Sequence, residues 1–212
     1  MELTSVNIGQ ERTIMTKNHF DHTGIYKLPV HGPVPVTSLG LEGDFIASKK
    51  HHGGPDQAVY VYGTLDYEWW SHELGKDCVA GMFGENLTVS DLESARFNIG
   101  DRLLAGSVFL EITAPRIPCE TFAARMGDPQ FVKRFRQAER PGLYCRVLRE
   151  GTIRVGDNVS FNRYQGEAVP LLDLFRIHYE IQSDQETFRR LLAAPIAIRA
   201  RKDFEKRLEK SR

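Results

Sequence analysis

The residues with the clearest chemical potential surround a single cysteine. Cys119 ends the run Pro115-Arg116-Ile117-Pro118-Cys119, so two prolines bracket an arginine and a thiol follows at once. Proline fixes its own φ and favours extended geometry in the residue before it, which predicts a stiff loop. The neighbouring guanidinium favours a thiolate, which is a nucleophile or a soft metal ligand. The ordinary alternative is a buried cysteine that packs as a small hydrophobic residue.

A second group of candidates lies in the segment His52-Gly53-Gly54. Paired glycines let the backbone approach a ligand and present main-chain N–H groups to an anion. His52 can donate a hydrogen bond to the same anion. Because adjacent histidines in an extended chain point in different directions, His51 and His52 do not predict a shared metal site. The alternative for this segment is a tight turn.

Three further polar residues complete the candidates. Asn86 and Thr88 offer donors and acceptors that suit a polar heterocycle, or else they cap a turn. Lys27 is a lone cation, for which a surface position is the usual explanation. The other two cysteines carry no predicted chemistry. Cys145 lies in a strand-like alternation that predicts burial, and Cys78 has no recognisable partner.

The elements that must position these residues are mainly short strands. Residues 2–9, 57–62 and 108–112 have the alternating or β-branched character of strands. Residues 97–103 and 153–159 share the pattern apolar-x-apolar-Gly-Asp-x-apolar, in which Gly-Asp predicts a tight turn into the next strand. Many short strands joined by such turns indicate a barrel or a sandwich.

Helical patterns interrupt the strands in two places and take over near the end of the chain. Residues 65–75 predict a helix that ends at a glycine cap. Asp128 predicts the N-cap of another helix, whose Phe131 and Phe135 share one face.

The C-terminal part contains three amphipathic helical stripes. We therefore expect a mainly β domain over residues 1–165 and a small three-helix domain over residues 166–212.

Composition narrows the class of protein. The 212 residues include 28 basic and 28 acidic side chains, and the lack of a basic surplus argues against non-specific nucleic-acid binding. The chain shows no apolar run of membrane-spanning length and no signal-peptide pattern at its start. Three widely spaced cysteines favour a reducing cytoplasm over a disulfide framework. We expect a cytoplasmic protein that binds neither nucleic acid nor membrane.

Taken in order, these motifs resemble the MOSC family, the domain shared with the C-terminal part of molybdenum cofactor sulfurases. No single motif is diagnostic, whereas seven in the right order are hard to obtain by chance. The resemblance covers nearly the whole chain. The matching segments are Gly43-Asp44, His52-Gly53-Gly54-x-x-Gln57-Ala58-Val59, Gly84-Glu85-Asn86-Leu87-Thr88, Gly100-Asp101, Pro115-Arg116-x-Pro118-Cys119, Gly142-Leu143-Tyr144-Cys145-Arg146-Val147-Leu148 and Gly156-Asp157.

The resemblance implies a strongly bent MOSC-type β-barrel with a few inserted helices, followed by the three-helix domain. It implies a molybdopterin-type molybdenum cofactor, with Cys119 as the catalytic residue and the molybdenum ligand. Because the cysteine tunes the metal while the metal performs the redox step, a single thiol suffices. The residues that this implies for cofactor binding are Lys27, His52, Gly53, Asn86, Thr88 and Arg116.

The implied activity is that of an oxidoreductase independent of pyridoxal phosphate. It reduces N-hydroxylated compounds, such as N-hydroxylated nucleobase analogues, to the parent amines, and so detoxifies N-hydroxylaminopurine. The chain contains no flavin-binding or iron–sulfur motif, and a separate flavoprotein reductase is the implied electron donor. A homodimer is the implied assembly.

Two other functions remain open for the same residues. Cys119 could hold a persulfide and act as a sulfur carrier. Alternatively, the pocket could bind and deliver molybdenum cofactor, with the C-terminal helices docking a partner. The sulfur carrier would use the same stiff, cation-flanked thiol, and the delivery protein the same pocket. Because the clusters around His52 and Asn86 supply a cofactor pocket, the predicted role of Cys119 is metal ligand first and sulfur carrier second.

Overall fold

Strands dominate the first three quarters of the chain and helices the last. The computed structural model describes residues 1–17, 19–47, 53–180 and 184–210. The strands are β1 (Leu3–Gly9), β2 (Arg12–Met15), β3 (Phe20–Thr23), β4 (Lys27–Pro29), β5 (Val34–Thr37), β6 (Gly40–Leu41), β7 (Val59–Gly63), β8 (Leu87–Val89), β9 (Arg102–Ala105), β10 (Val108–Pro115), β11 (Leu143–Arg149), β12 (Gly151–Ile153) and β13 (Val159–Asn162). The helices are α1 (Thr64–Leu74), α2 (Glu120–Met126), α3 (Phe131–Ala138), α4 (Leu171–Ile177), α5 (Gln185–Ala193) and α6 (Ile198–Lys210), with 3₁₀ turns at Pro55–Gln57 and Ser94–Arg96. Across the described ranges, none of these helices is long and apolar enough to cross a bilayer.

Eight strands form one mixed sheet in the order β13-β9-β10-β11-β7-β8-β1-β4. Neighbouring strands are antiparallel except β7 and β8, which run parallel. A parallel pair needs a crossover connection, and the segment containing α1 supplies it. Two smaller sheets, β12-β5-β6 and the hairpin β2-β3, complete the β structure.

The large sheet curls until its two ends approach each other. Glu2 and Asn158 form an isolated antiparallel bridge between the start of β1 and the turn before β13. Beside it, the Leu3 N–H donates to the Asp157 carbonyl at 2.9 Å and the Gly156 N–H donates to the Leu3 carbonyl at 2.9 Å. Among the described residues no continuous ladder joins the two ends. The fold is therefore a sheet-rich, mixed α and β structure, strongly curled but not a closed barrel.

The two Gly-Asp turns have the same construction, as their shared pattern predicts. Gly100 and Gly156 adopt φ values of +86° and +89°, which a side chain would strain. The Asp101 carboxylate accepts the Asn98 N–H at 2.9 Å, and the Asp157 carboxylate accepts the Arg154 N–H at 2.9 Å. Each turn leads directly into an inner or edge strand of the large sheet.

The main apolar core combines the sheet with the C-terminal helices. Its buried members include Leu3 and Ile112 from the sheet, and Leu171, Leu191 and Phe204 from the three helices. The helices α4, α5 and α6 thus pack on the core of the strands. The division into domains at residues 165 and 166 stays a prediction.

An aromatic cluster holds the helices nearest to Cys119. Trp70 of α1 stacks on Phe135 of α3, with ring centroids 5.9 Å apart, and Phe122 of α2 meets the Phe135 ring edge-to-face at 5.1 Å. Trp70 Nε1 also donates to the Tyr62 hydroxyl at 2.9 Å, which ties α1 to β7. Because α2 is packed into this cluster, the thiol that precedes it has a rigid support.

Two helix ends test the local patterns. Helix α1 ends at Gly75, whose φ of +62° confirms the predicted glycine cap. The predicted N-cap at Asp128 is wrong, because α3 begins at Phe131 and its N-cap is Gln130. The Asp128 carboxylate accepts the Gln130 N–H at 2.8 Å, so it closes the turn before the helix. Phe131 and Phe135 are both buried on one face of α3, as expected.

Candidate active site

A cavity of about 910 Å³ lies between the large sheet, the loop that carries Cys119 and the C-terminal helices. Its volume is near the upper end of the range of about 300–1,000 Å³ that is usual for small-molecule sites. The cavity brings together five of the seven residues predicted for the site, which are Lys27, Gly53, Asn86, Arg116 and Cys119.

The backbone on both sides of Cys119 is fixed. Strand β10 ends at Pro115, and Cys119 is the N-cap residue of α2, with an extended φ of −132°. Its carbonyl oxygen accepts the N–H groups of Phe122 and Ala123, both at 3.1 Å. The thiol is free and half-buried, and it lines the cavity. The stiff loop expected from the two prolines therefore supports a thiol in a defined position.

Arg116 is the buried arginine of the loop that carries Cys119. Its Nη1 donates to the Phe83 carbonyl at 2.6 Å. The guanidinium lies over the ring of Phe122 at 4.2 Å and over that of Tyr60 at 5.1 Å, so aromatic faces hold it on two sides. Its charge interacts with Cys119, which agrees with the cationic neighbour expected from the sequence.

A buried ion pair lies in the sheet wall of the cavity. Lys27 is buried, and its Nζ bonds to both carboxylate oxygens of Asp44. The same carboxylate accepts the Gly9 N–H at 2.8 Å and the Asn86 amide at 2.9 Å. Burial lowers the pKa of Lys27, while the Asp44 charge opposes that shift. Lys27 is therefore not an ordinary surface lysine.

Asn86 lines the cavity while bonding mainly to the protein itself. Its Oδ1 accepts the Tyr60 N–H at 3.1 Å, and its Nδ2 donates to the Asn7 carbonyl at 3.4 Å as well as to Asp44. Thr88, by contrast, does not line the cavity. It is buried, and its hydroxyl donates to Glu85 at 2.9 Å. The structure thus separates two residues that the sequence groups together.

Glu85 is a buried carboxyl group that no sequence pattern singled out for the site. Its Oε1 accepts hydrogen bonds from the Tyr67 hydroxyl at 2.5 Å, the Gly81 N–H at 2.6 Å and Thr88. Its Oε2 has no hydrogen-bond partner among the described residues. Burial raises the pKa of Glu85, because the charged form is desolvated.

Gly53 lines the cavity, and both it and Gly54 have backbone that favours glycine. Gly53 and Gly54 adopt φ values of +68° and +85°, and a Cβ on Gly53 would lie 2.8 Å from the Ile46 side chain. His52 and His51 lie outside the described residues. In the part of the chain that is described, no three His, Cys, Asp or Glu side chains are grouped to hold a metal ion.

Sequence patterns did not reveal the outer wall of the cavity, which α4 and α6 supply. Leu174 lies in the middle of α4 and His178 is its C-cap residue, and Asp203, Phe204 and Arg207 come from α6. The Arg207 Nε pairs with Asp203 Oδ2 at 2.8 Å. Burial and the Arg207 charge lower the pKa of His178, while Asp203 raises it. The helical spacing of these residues was the available signal, but it also fits simple packing.

The arrangement combines a soft donor with hydrogen-bonding and cationic groups. A thiolate at Cys119 can coordinate a transition metal. The cations Lys27 and Arg116 favour an anionic or electron-rich ligand nearby, and the aromatic rings of Tyr60 and Tyr144 add apolar surface to the same cavity. The site can therefore hold a sizeable polar group beside the sulfur.

Known proteins resemble this chain in sequence and in structure. YflK of Bacillus subtilis is 31% identical over 189 residues, which are 89% of this chain and 86% of YflK. A protein named reductase from Gibberella moniliformis is 35% identical over 142 residues, which are 65% of this chain and 25% of that protein. The crystal structure of YiiM from Geobacillus stearothermophilus matches with a TM-score of 0.79 and 27% identity, covering 98% of both chains.

The MOSC domain matches residues 48–160. This span contains Asn86, Arg116 and Cys119, whereas Lys27 and helices α4 to α6 lie outside it. The match covers more than half of the chain, and the relatives extend the similarity across most of the remainder. The chain belongs to the MOSC domain family.

Proposed function

We propose that the protein is a molybdenum-cofactor-dependent reductase of N-hydroxylated compounds, such as N-hydroxylated nucleobase analogues. The observation that carries this proposal is the half-buried Cys119 thiol, which lines a cavity of about 910 Å³. Membership of the MOSC family supports the cofactor. The relative named reductase supports the class of reaction, although this chain matches a quarter of that protein's length.

The residues present fit a molybdopterin-type group. Cys119 offers a soft thiolate to a molybdenum ion whose dithiolene supplies other ligands. Gly84, with φ of +74°, lets the backbone of the cavity wall pack against Ile25 and Arg116, since a Cβ there would lie 3.0 Å from Ile25 Cγ1 and 3.3 Å from Arg116 Nη1. A lysine ammonium has three N–H donors, and Asp44 accepts two of those of Lys27. The third can serve a phosphate.

The bound cofactor would supply two-electron reduction of the N–O bond. A hydroxylamine with two electrons and two protons gives the amine and one water molecule. Cys119 would fix the metal through its sulfur, and the Gly53 backbone would contact the group. His178 in the outer wall offers ring nitrogens for a hydrogen bond to the substrate, and burial lowers its pKa, which favours the neutral imidazole.

The electron donor, the assembly and the cellular location that we propose follow from the family resemblance. A separate flavoprotein reductase would deliver the electrons, and the working form would be a cytoplasmic homodimer. Because the electrons come from that reductase, the chain needs no flavin of its own.

Substitution of the thiol tests the proposal. Protein expressed in a host that makes the cofactor should contain molybdenum and should reduce an N-hydroxylated base analogue when a flavoprotein reductase is added. We expect Cys119→Ala to lower turnover by about 100-fold or more, because the metal loses its protein ligand. Cys78→Ala is the matched control, since Cys78 is also a free, half-buried thiol but does not line the cavity. Undiminished activity of Cys119→Ala would refute the mechanism.

The half-exposed thiol also suits a sulfur carrier, and the same preparation separates the two functions. Mass spectrometry that finds a persulfide on Cys119 of molybdenum-free protein would favour the carrier. Firmly bound cofactor without turnover, given several flavoprotein reductases, would instead favour a delivery protein.

A further inference from the structure

The start of helix α6 is tied to the 3₁₀ turn that follows the glycine pair. Asp56 Oδ2 accepts the Ile198 N–H, the first of α6, at 2.7 Å. Asp56 Oδ1 pairs with Arg146 Nη2 at 3.1 Å. A carboxylate at a helix start accepts a backbone N–H that has no partner within the helix. Its negative charge also interacts favourably with the positive end of the helix dipole. The cap of α6 thus comes from a distant part of the chain.

Arg146 of β11 joins the same network from the sheet side. Its Nη2 donates to the carbonyls of Pro195 and Ile196 at 3.2 and 3.4 Å, directly before α6. Its Nη1 lies 3.6 Å from Glu111 Oε1, whose side chain is buried. Arg146 and Asp56 are both largely buried, with 26% and 23% of their side chains exposed, so solvent screens their pairing only in part.

Three further bonds join the turn, strand β10 and the start of α6. Arg199 Nη1 donates to Gln57 Oε1 at 2.8 Å. The Ala197 N–H donates to the Thr113 carbonyl at 3.0 Å, and the Thr113 hydroxyl donates to the Asp56 carbonyl. The turn Pro55–Gln57, strand β10 and the start of α6 therefore form one hydrogen-bonded unit.

This unit connects two different parts of the cavity. Gly53, two residues before the turn, lines the cavity together with Gln57 of the turn. Helix α6 supplies Ala200, Asp203 and Phe204 to the outer wall. The outer wall lies outside residues 48–160, whereas Asp56 and Arg146 lie within that MOSC span.

We propose that Asp56 and Arg146 are positioning residues that hold α6 in place as the substrate-facing wall of the cavity. Substrate affinity then depends on this network, while cofactor retention depends on the region around Cys119. The substrate-facing role rests on the function proposed above. The anchoring of α6 by Asp56 and Arg146 does not depend on that function and can be tested without it.

Hydrogen exchange of the backbone tests the anchoring directly. We expect peptides covering residues 196–204 of Asp56→Ala to exchange about fivefold faster than those of the wild type, since the helix loses its cap and its ionic tie. Asp56→Asn should have a smaller effect, because an amide oxygen can still accept the Ile198 N–H while the charge is lost. It also serves as the second variant if Asp56→Ala does not fold.

Arg190→Ala is the matched control. It removes an ion pair of 2.7 Å between Arg190 of α5 and Asp173 of α4, which belongs to the C-terminal helices but not to the α6 anchor. Exchange in residues 196–204 should stay as in the wild type. Unchanged exchange in both Asp56 variants would overturn the proposal.

Steady-state kinetics of the molybdenum-loaded protein test the consequence for substrate. We expect Asp56→Asn to raise KM for the N-hydroxylated substrate about fivefold with kcat and molybdenum content little changed, because a displaced wall weakens binding ahead of chemistry. Loss of molybdenum or of kcat at an unchanged KM would contradict a substrate-facing role. Absence of turnover in the wild type would refute the proposed function, and the exchange result would still decide whether the network holds α6.

Discussion

Two buried acidic side chains near the cavity differ in how their charge is stabilised. Asp44 has Lys27 as an ionic partner and receives two further hydrogen bonds. Glu85 receives only neutral donors, and one of its oxygens has no partner among the described residues. A carboxylate without a cationic partner is costly to bury, which is why burial raises the pKa of Glu85.

Glu85 should therefore link stability to pH. Its folded pKa lies above the ordinary value of 4.5, so its contribution to stability is complete below that value and is lost as pH rises through the folded pKa. Glu85→Gln resembles the neutral carboxyl group. We expect the free energy of unfolding of Glu85→Gln, relative to that of the wild type, to increase with pH by about 1.4 kcal/mol for each unit of raised pKa.

Urea unfolding of both proteins at several pH values between about 5 and 8 measures this difference, since other titrating groups cancel between them. A difference that stays constant with pH would show that Glu85 does not take up a proton on folding.

At the scale of elements, Gly81 lets the loop between α1 and β8 pack closely against strand β4 of the sheet. Gly81 adopts φ of +81°, its N–H donates to Glu85, and a Cβ would lie 2.3 Å from the Lys27 carbonyl oxygen. Gly75, the C-cap of α1, has a similar φ of +62°, but a Cβ added there would meet nothing within 4 Å. The two glycines thus share a backbone requirement and differ only in the space around them.

Alanine substitutions separate these two effects. We expect Gly75→Ala to lower the free energy of unfolding by about 1 kcal/mol, the usual strain of a left-handed residue. Gly81→Ala should lower it by about 3 kcal/mol, because the methyl group also displaces β4. Urea unfolding gives both values, and equal losses would mean that the loop relaxes without disturbing Lys27.

Sequence patterns predicted those elements whose bonds are local. The turns at Gly100 and Gly156 are closed by an aspartate that bonds three residues back, and Gly75 ends the helix in which it lies. Gly43-Asp44 has the same letters, but its carboxylate bonds instead to Gly9 and Lys27, far along the chain. Only the folded sheet brings those partners together, so the Gly-Asp motif could not predict the ion pair of Asp44 with Lys27.

The site was predictable to a similar extent. Cys119 and Arg116 are neighbours in sequence, and their joint position follows from one stiff loop. The outer wall depends on α6 crossing back over the sheet. Phe204 shows the limit, since its helical spacing indicates an apolar face without revealing that it also borders the cavity.

At the scale of the whole molecule, strands and C-terminal helices share one core. Phe188 of α5 and Phe204 of α6 pack with their rings tilted and the centroids 5.6 Å apart, within the same cluster as Ile112 of β10. Neither part can separate without exposing apolar surface of the other, so we expect cooperative unfolding of the whole chain.

Two optical signals can test this cooperativity. The two tryptophans both lie in α1, so fluorescence reports on the strand-rich part, whereas far-UV circular dichroism reports on all helices. We expect coincident urea transitions, and we expect Leu191→Ala to shift both by the same amount, about 2–5 kcal/mol for a truncated core leucine. An earlier transition in circular dichroism would instead support an independent domain over residues 166–212.

The isolated bridge between Glu2 and Asn158 affects the order in which the chain folds. Strand β1 pairs with β8 and β4, but the bonds of Leu3 to Gly156 and Asp157 form only when the turn before β13 is available. Joining such distant segments is opposed by loop entropy until many contacts form together, which predicts slow folding. During synthesis on the ribosome, the first strand made would be among the last to complete its hydrogen bonds.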